Sequence, residues 1–317
     1  MERWRLRKEK LKANVIGYEE EDDKITYFVT AKIPEELLNK RDVIKKEING
    51  KPTDVEVREI PKACKKTKAT LSSVYQSKTR AYQPGQSIGP AGSISAGTLG
   101  LVGTRPEYSH PLLGALSYRI GDWMSAKFLI KAGVQITEVE VGVTNRHVAG
   151  EAGELVLQPG RLDGGRIADK IGQVIQHGKL KAYAPLDIAV FKIEDDRVYN
   201  WPVNMRDLKG KGIKVNRNPP MGSVKKSGRS SGLTYGKLVR KGVTVDVDMG
   251  KKYGMVEFKD VYEIDMSTGN PLLISGDSGS SVWNTDNELI GIGFAAGSRY
   301  SYVLPIGRIL DEFNITV

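Results

Sequence analysis

Three side chains in this 317-residue sequence could together carry out covalent chemistry without a bound group: a serine, a histidine and an aspartate. The serine is Ser278, in Ile274-Ser275-Gly276-Asp277-Ser278-Gly279-Ser280-Ser281-Val282-Trp283. An apolar run, 271–274, leads in, and the strand-like Ser281-Val282-Trp283 leads out. This composition suits a tight loop that lifts one hydroxyl out of a β-framework. Gly276 has no Cβ, so its N–H can lie beside that of Ser278 and point into one cavity. Two convergent backbone donors of this kind stabilise an oxyanion, and losing one costs about 10²–10³ in rate. Gly-Asp-Ser-Gly also occurs as an ordinary turn, so the assignment needs support from the rest of the chain.

A serine hydroxyl is a weak nucleophile until a base takes its proton, and that base must be held in one tautomer. The chain has three histidines. His147 lies in Val143-Thr144-Asn145-Arg146-His147-Val148-Ala149, a strand end running into a short turn. His110 precedes a proline in a loop and His177 precedes Gly178 in a basic turn, so both are read as ordinary surface or core residues. The acid is Asp187, in Ala184-Pro185-Leu186-Asp187-Ile188-Ala189-Val190-Phe191. A carboxylate at the mouth of an apolar strand is costly to bury unless a partner there needs it.

The order His147, Asp187, Ser278, at intervals of 40 and 91 residues, is that of chymotrypsin and differs from the subtilisin and α/β-hydrolase orders. On Thr144-Asn145-Arg146-His147-Val148, Asp187-Ile188-Ala189-Val190 and Gly276-Asp277-Ser278-Gly279-Ser280, the chain resembles the chymotrypsin-like (trypsin-like) serine peptidases, in their disulfide-poor bacterial and archaeal branch. A fourth stretch, Lys226-Ser227-Gly228-Arg229-Ser230-Ser231-Gly232-Leu233-Thr234, is similar to the Ser-Gly-Arg-Thr-Thr-Gly segment of streptogrisin- and α-lytic-protease-like members. The resemblance covers roughly residue 83 to the C-terminus. It implies a mainly β fold, a chymotrypsin-like double six-stranded β-barrel with a C-terminal helix, preceded here by a small N-terminal α/β unit. It also implies a serine endopeptidase working through an acyl-enzyme, with His147, Asp187 and Ser278 as the triad, the N–H groups of Gly276 and Ser278 as the oxyanion hole, and no cofactor or metal.

Two further site expectations follow from the resemblance. Asp277 must be paired, and in bacterial members a basic side chain near the Ser-Gly-Arg stretch does this, making Lys226 and Arg229 the candidates. The position six before the nucleophile, which sets charge preference in trypsin-like members, falls on Leu272. The opposing wall falls on Phe294, Ala295 and Ala296. That wall lacks the serine that often bonds the catalytic aspartate. Nothing acidic lines such a pocket, and a histidine of the glutamate-specific kind is absent, so apolar or small side chains are expected before the cut. Two other readings stand beside the endopeptidase: a self- or partner-processing maturation protease, and a catalytically idle scaffold or binding protein.

Composition narrows the class. A hydrophobic fraction of 39% suits a soluble globular protein, and no apolar run approaches the roughly 18 residues a membrane helix needs. A basic start without an apolar stretch after it argues against a secretory signal. One cysteine, Cys64, allows no intrachain disulfide, and together these point to a cytoplasmic protein, with virion or unsignalled export as alternatives. One cysteine and three scattered histidines offer no metal-ligand cluster. The net charge is +10, and residues 61–80 hold six Lys/Arg and no acid. Such a segment could touch nucleic acid, although a solvated linker is the plainer reading, and the expected partner is a peptide or protein substrate.

Along the chain, residues 1–13 read as a basic tail and 14–61 as a β-α-β-β unit: a β-rich run at 25–31, a helix start at Pro34, and a hairpin around Asn49-Gly50. The unit could be a prosegment, a folding aid or a docking module. Residues 62–82 read as a basic linker and 83–317 as the peptidase domain, with barrels at about 83–205 and 206–317. The glycine-rich stretch 85–103 lacks the pattern of a phosphate cradle and reads as tight turns opening the first barrel. Short β-patterns broken by Gly, Pro and Asp follow, and Ile306, Ile309, Leu310 and Phe313 at helical spacing end the chain.

Overall fold

The computed structural model describes residues 14–38, 42–63, 73–79, 81–109, 135–181, 183–194, 198–266 and 271–317. The expectations for the tail 1–13, Cys64 and His110 lie outside them. The chain first lays down β1 (Val15–Glu20), β2 (Ile25–Val29), β3 (Glu47–Ile48), β4 (Lys51–Val57) and β5 (Lys62–Ala63), then a one-turn helix α1 (Ser73–Gln76). Seven strands follow: β6 (Ser87–Pro90), β7 (Gly97–Thr98), β8 (Leu101–Tyr108), β9 (Ile136–Thr144), β10 (Leu155–Leu157), β11 (Lys170–His177) and β12 (Ala189–Ile193), with the one-turn α2 (Arg146–Ala149) after β9. The last third holds β13 (Lys214–Val215), β14 (Gly222–Gly228), β15 (Gly232–Asp248), β16 (Met255–Asp265), β17 (Ser281–Asn284), β18 (Glu288–Ala296), β19 (Tyr300–Pro305) and the helix α3 (Ile306–Phe313).

The strands form two sheets, and each closes into a six-membered ring. In the first, β6, β10, β11, β12 and β9 pair in that order. The bent pair β7–β8 closes the circle, with Thr98 opposite Ser87 and Leu101 opposite Val143. In the second the ring runs β14, β17, β18, β19, β16, β15 and back to β14. Alternation explains the interior of β15, where Val243, Val245 and Val247 are all buried, as expected where one face of a strand meets a core; on β16 Phe258 and Val261 are buried on either side of a break at Asp260, which takes positive φ. α3 buries Ile306, Ile309, Leu310 and Phe313, and beyond it Thr316 pairs with Thr104 of the first barrel.

The N-terminal unit differs from its expected form. The helix expected from Pro34 is a single 3-10 turn over Glu35–Leu37. β1 pairs with β2, β2 runs parallel to β4, and β3 and β4 make the hairpin, with Asn49 and Gly50 both at positive φ. The unit extends the second barrel's sheet, because β1 pairs with the far half of the long β15, Gly17 opposite Val245. A Cβ on Gly17 would stand 2.4 Å from the Thr244 carbonyl oxygen, so only glycine admits that pairing. Five charged groups bridge the seam. Arg58 contacts Glu263 and Glu56, and Arg240 contacts Glu19, Glu56 and Glu263. The segment expected as a linker from residue 62 starts as a strand, with β5 lying between β15 and β18.

Candidate active site

His147 stands on α2, where β9 leaves the first barrel. Its position is fixed twice by one carboxylate: its backbone N–H donates to Asp187 Oδ1 (3.0 Å), and ring Nδ1 lies 2.5 Å from Oδ2. Asp187 is fully buried just before β12, and its carbonyl accepts from the Asn145 side-chain amide at 2.8 Å. A carboxylate facing Nδ1 assigns the ring proton to that nitrogen. Nε2 keeps the lone pair, and it is buried without a hydrogen-bond partner among the described residues.

Ser278 lies in the loop before β17. The Asp277 N–H donates to the Ile274 carbonyl and that of Gly279 to the Gly293 carbonyl, both at 2.9 Å. The alternate N–H groups, of Gly276 and Ser278, make no hydrogen bond among the described residues. Gly276 takes φ +94°, a conformation that L side chains rarely adopt. A Cβ there would also stand 2.2 Å from Ser230 Oγ. The Ser278 hydroxyl is 1% exposed and donates to the Phe294 carbonyl at 3.4 Å; its bond in this structure is therefore with β18.

Asp277 is enclosed. Oδ1 accepts from the N–H groups of Ser230 (2.8 Å) and Ser231 (3.1 Å). Oδ2 accepts from Lys226 Nζ (3.0 Å), the Ile274 N–H (3.1 Å) and the Ser231 hydroxyl. Lys226 and Asp277 are both fully buried, a pairing that is tolerable because every lone pair is answered. Arg229, the other candidate for Asp277, is elsewhere. Its Nε and Nη2 each reach the Asp163 carboxylate at 2.6 Å, a two-pronged contact between barrels that suits a planar guanidinium. Ser87 Oγ donates to the same carboxylate at 2.5 Å.

Thr98 and Asp163 were not singled out from the sequence. The Thr98 N–H donates to the Ser278 carbonyl (2.9 Å), its hydroxyl to the Gly276 carbonyl (2.9 Å), and its own carbonyl accepts from Thr144 Oγ1 (2.7 Å). A Cβ built on the neighbouring Gly97 would meet Val148 Cγ2 at 2.5 Å and the Ser278 carbonyl oxygen at 3.1 Å. One methyl group would thus span the space between the His147 turn and the Ser278 loop. The only signal in the sequence was a threonine inside a glycine-rich stretch.

The remaining expected residues are also accounted for. Leu272 is fully buried in an apolar cluster with Leu238, Ile264 and Val282, and its carbonyl accepts from Thr234 Oγ1 at 2.8 Å. The Phe294 ring is buried against Phe258, centroids 4.6 Å apart. Ala295 and Ala296 pair with β19 on one edge and β5 on the other. His177 contacts Glu151, Nε2 to carboxylate at 3.1 Å.

A cavity of about 810 Å³ opens beside His147, bounded by Val148, Ser95, Glu154, Tyr253 and Ala63. On its rim burial would raise the Glu151 carboxyl, but bonds from Lys252, Arg146 and Tyr253 hold it down at about 2. It is therefore an anion throughout the ordinary pH range.

Solved serine proteases resemble this chain. Thermobifida fusca protease A is 14% identical, with TM-score 0.46 over 74% of this chain and 98% of that one. A Nocardiopsis protease is 13% identical, with TM-score 0.46 and the same coverage. A glutamic acid specific serine protease is 16% identical, with TM-score 0.43 over 74% of this chain and all of that one. No family model and no curated protein matches the sequence. Among the described residues, no helix is long and apolar enough to cross a membrane.

Proposed function

We propose that the chain is a serine endopeptidase of the chymotrypsin-like family. The observation that carries this reading is the His147–Asp187 pair: a buried carboxylate fixes Nδ1, and Nε2 is left without a partner. In the reaction Ser278 Oγ leaves the Phe294 carbonyl, gives its proton to His147 Nε2 and attacks the substrate carbonyl carbon. The oxygen that gains charge is received by the N–H groups of Gly276 and Ser278. The C–N bond then breaks as His147 passes the proton to the leaving amine, and water hydrolyses the acyl-serine by the same route in reverse. Asp187 holds the imidazole and stabilises its charged form without taking the proton. Lys226 serves indirectly, by neutralising Asp277 so that the loop with both donors can be buried.

A fluorophosphonate should label wild-type protein at Ser278 and leave Ser278→Ala unlabelled, and an ester carrying a single amino acid should be cleaved only by the wild type. A folded wild type that takes no label and leaves the ester intact would overturn the proposal.

A further inference from the structure

β18 changes partner along one edge, and it does so beside the nucleophile. Up to Gly293 that edge belongs to β17 and the Ser278 loop: Gly279 N–H donates to the Gly293 carbonyl, and Gly293 N–H to that of Ser280. At the next residue, the Phe294 carbonyl takes the Ser278 hydroxyl. From Ala295 onward the edge is held by β5, antiparallel, with Ala63 opposite Ala295 and Lys62 opposite Ala296. β19 covers the other edge. Residue numbers in β5 therefore rise toward Phe294, and the carboxyl side of Ala63 faces the nucleophile. An extended peptide adding itself to this sheet edge would need this direction to offer a carbonyl to Ser278.

β5 is held firmly for so short a strand. The Pro61 carbonyl accepts from the Asp248 N–H at 3.0 Å, and Lys62 stands opposite Asp248 of β15. Ala63 is 3% exposed, and it borders the same cavity as His147. A few residues upstream, Arg58 is buried against Glu263, fastening the segment to β16.

We propose that Lys62–Ala63 occupies, in cis, the track on which a substrate would align the residues preceding its cleaved bond, so that the N-terminal unit keeps long peptides off the site. This rests on the peptidase reading. A tethered strand competes at an effective concentration of about millimolar order, and a free peptide's apparent affinity falls by the fraction of molecules in which the track is open.

The test uses the full chain and two ester substrates with one leaving group, one carrying a single amino acid and the other four residues before the cleaved bond. A fluorophosphonate is the third probe, since it needs only Ser278. In the wild type, Ser278 is labelled, the short ester is turned over, and three added residues raise kcat/KM by no more than about twofold. In Lys62→Pro and Ala63→Trp, the long ester gains about tenfold or more, while the short one moves less than about twofold. A wild type that already favours the long ester about tenfold overturns the inference without any variant. So does an unchanged ratio in both variants, once circular dichroism shows them folded; in either case the peptidase reading survives. Absence of labelling in wild type and variants alike overturns that reading, and this inference with it.

Discussion

The two barrels contribute differently to the site. In the proposed mechanism the first supplies the base and its acid; its ring closes through the bent β7–β8 pair, leaving His147 and Asp187 on neighbouring segments. The second carries Ser278, the proposed nucleophile, and its sheet is extended. β15 runs for 17 residues, about three times an ordinary strand, pairing with β14 over Gly232–Leu238, with β16 from Lys237 onward, and with β1 at Thr244 and Val245. The imidazole is thus fixed by contacts within its own barrel. The serine loop depends on contacts from three places: Lys226 of its own barrel, Thr98 of the other, and β18, whose edge the N-terminal segment shares.

The largest expected effect tests the half that is fixed internally. His147→Ala should lower kcat for the short ester by about 10⁴–10⁶, with thermal unfolding little changed. Next comes Lys226→Met, which leaves Asp277 buried without its cation and should cost about 3–5 kcal/mol in urea unfolding. Fluorophosphonate labelling should slow in the protein that remains folded. Arg229→Met should behave differently: about 3 kcal/mol is lost, and because Asp163 and Arg229 join the barrels, a single calorimetric transition should broaden or split. Gly17→Ala acts on the extension, costing about 1–3 kcal/mol through the clash with the Thr244 carbonyl. Proteolytic nicking of residues 14–63 should report it while the barrels stay intact.

The smallest effect is a pH slope. Burial raises the Glu19 carboxyl to about 7 against the pull of Arg240, with Glu21 and Glu263 raising it further and Arg58 lowering it. A carboxyl raised in the folded state binds more protons there than when unfolded. Its contribution is complete below the ordinary carboxylate range near 4.5 and is lost as pH rises through about 7. The seam should therefore hold better at pH 5 than at pH 8, by a few degrees in Tm, and Glu19→Gln should flatten the difference.

Much of the candidate site could be read from residue types and order. His147, Asp187 and Ser278 stand in short strings whose neighbours are themselves constrained, and the family-like stretch from Lys226 to Thr234 lies in the β14–β15 hairpin, Gly228 opposite Gly232. The C-terminal helix and the Asn49-Gly50 turn were legible for the same reason, since their signals are local. Contacts that depend on long-range register were not. Thr98 meets Gly276 across 178 positions. Asp163 is one polar residue in a 3-10 turn, and nothing around it in sequence names Arg229 as its partner. A two-residue strand such as β5 has no periodicity to detect, and the continuity of β1 with β15 rests on a glycine whose tight neighbour is a distant carbonyl. Of the two candidates for Asp277, Lys226 takes the role and Arg229 does not, for a related reason. It is close to Asp277 in the chain fold, but its longer, forked side chain suits a carboxylate on the facing barrel, while the compact ammonium of Lys226 fits the enclosed one.

The order of synthesis gives β18 a further meaning. Domains emerge from the ribosome N-terminal end first, so residues 14–63 and the whole first barrel exist before Ser278 has been translated. His147 and Asp187 can be paired early, but the Ser278 loop completes its contacts only when residues 288–296 arrive, Gly293 bonding Gly279 and Ser280 and the Phe294 carbonyl taking the Ser278 hydroxyl. On the proposed reading a nascent chain gains its activity only once residues 288–296 are made, and by then the segment that lies along β18 is already present.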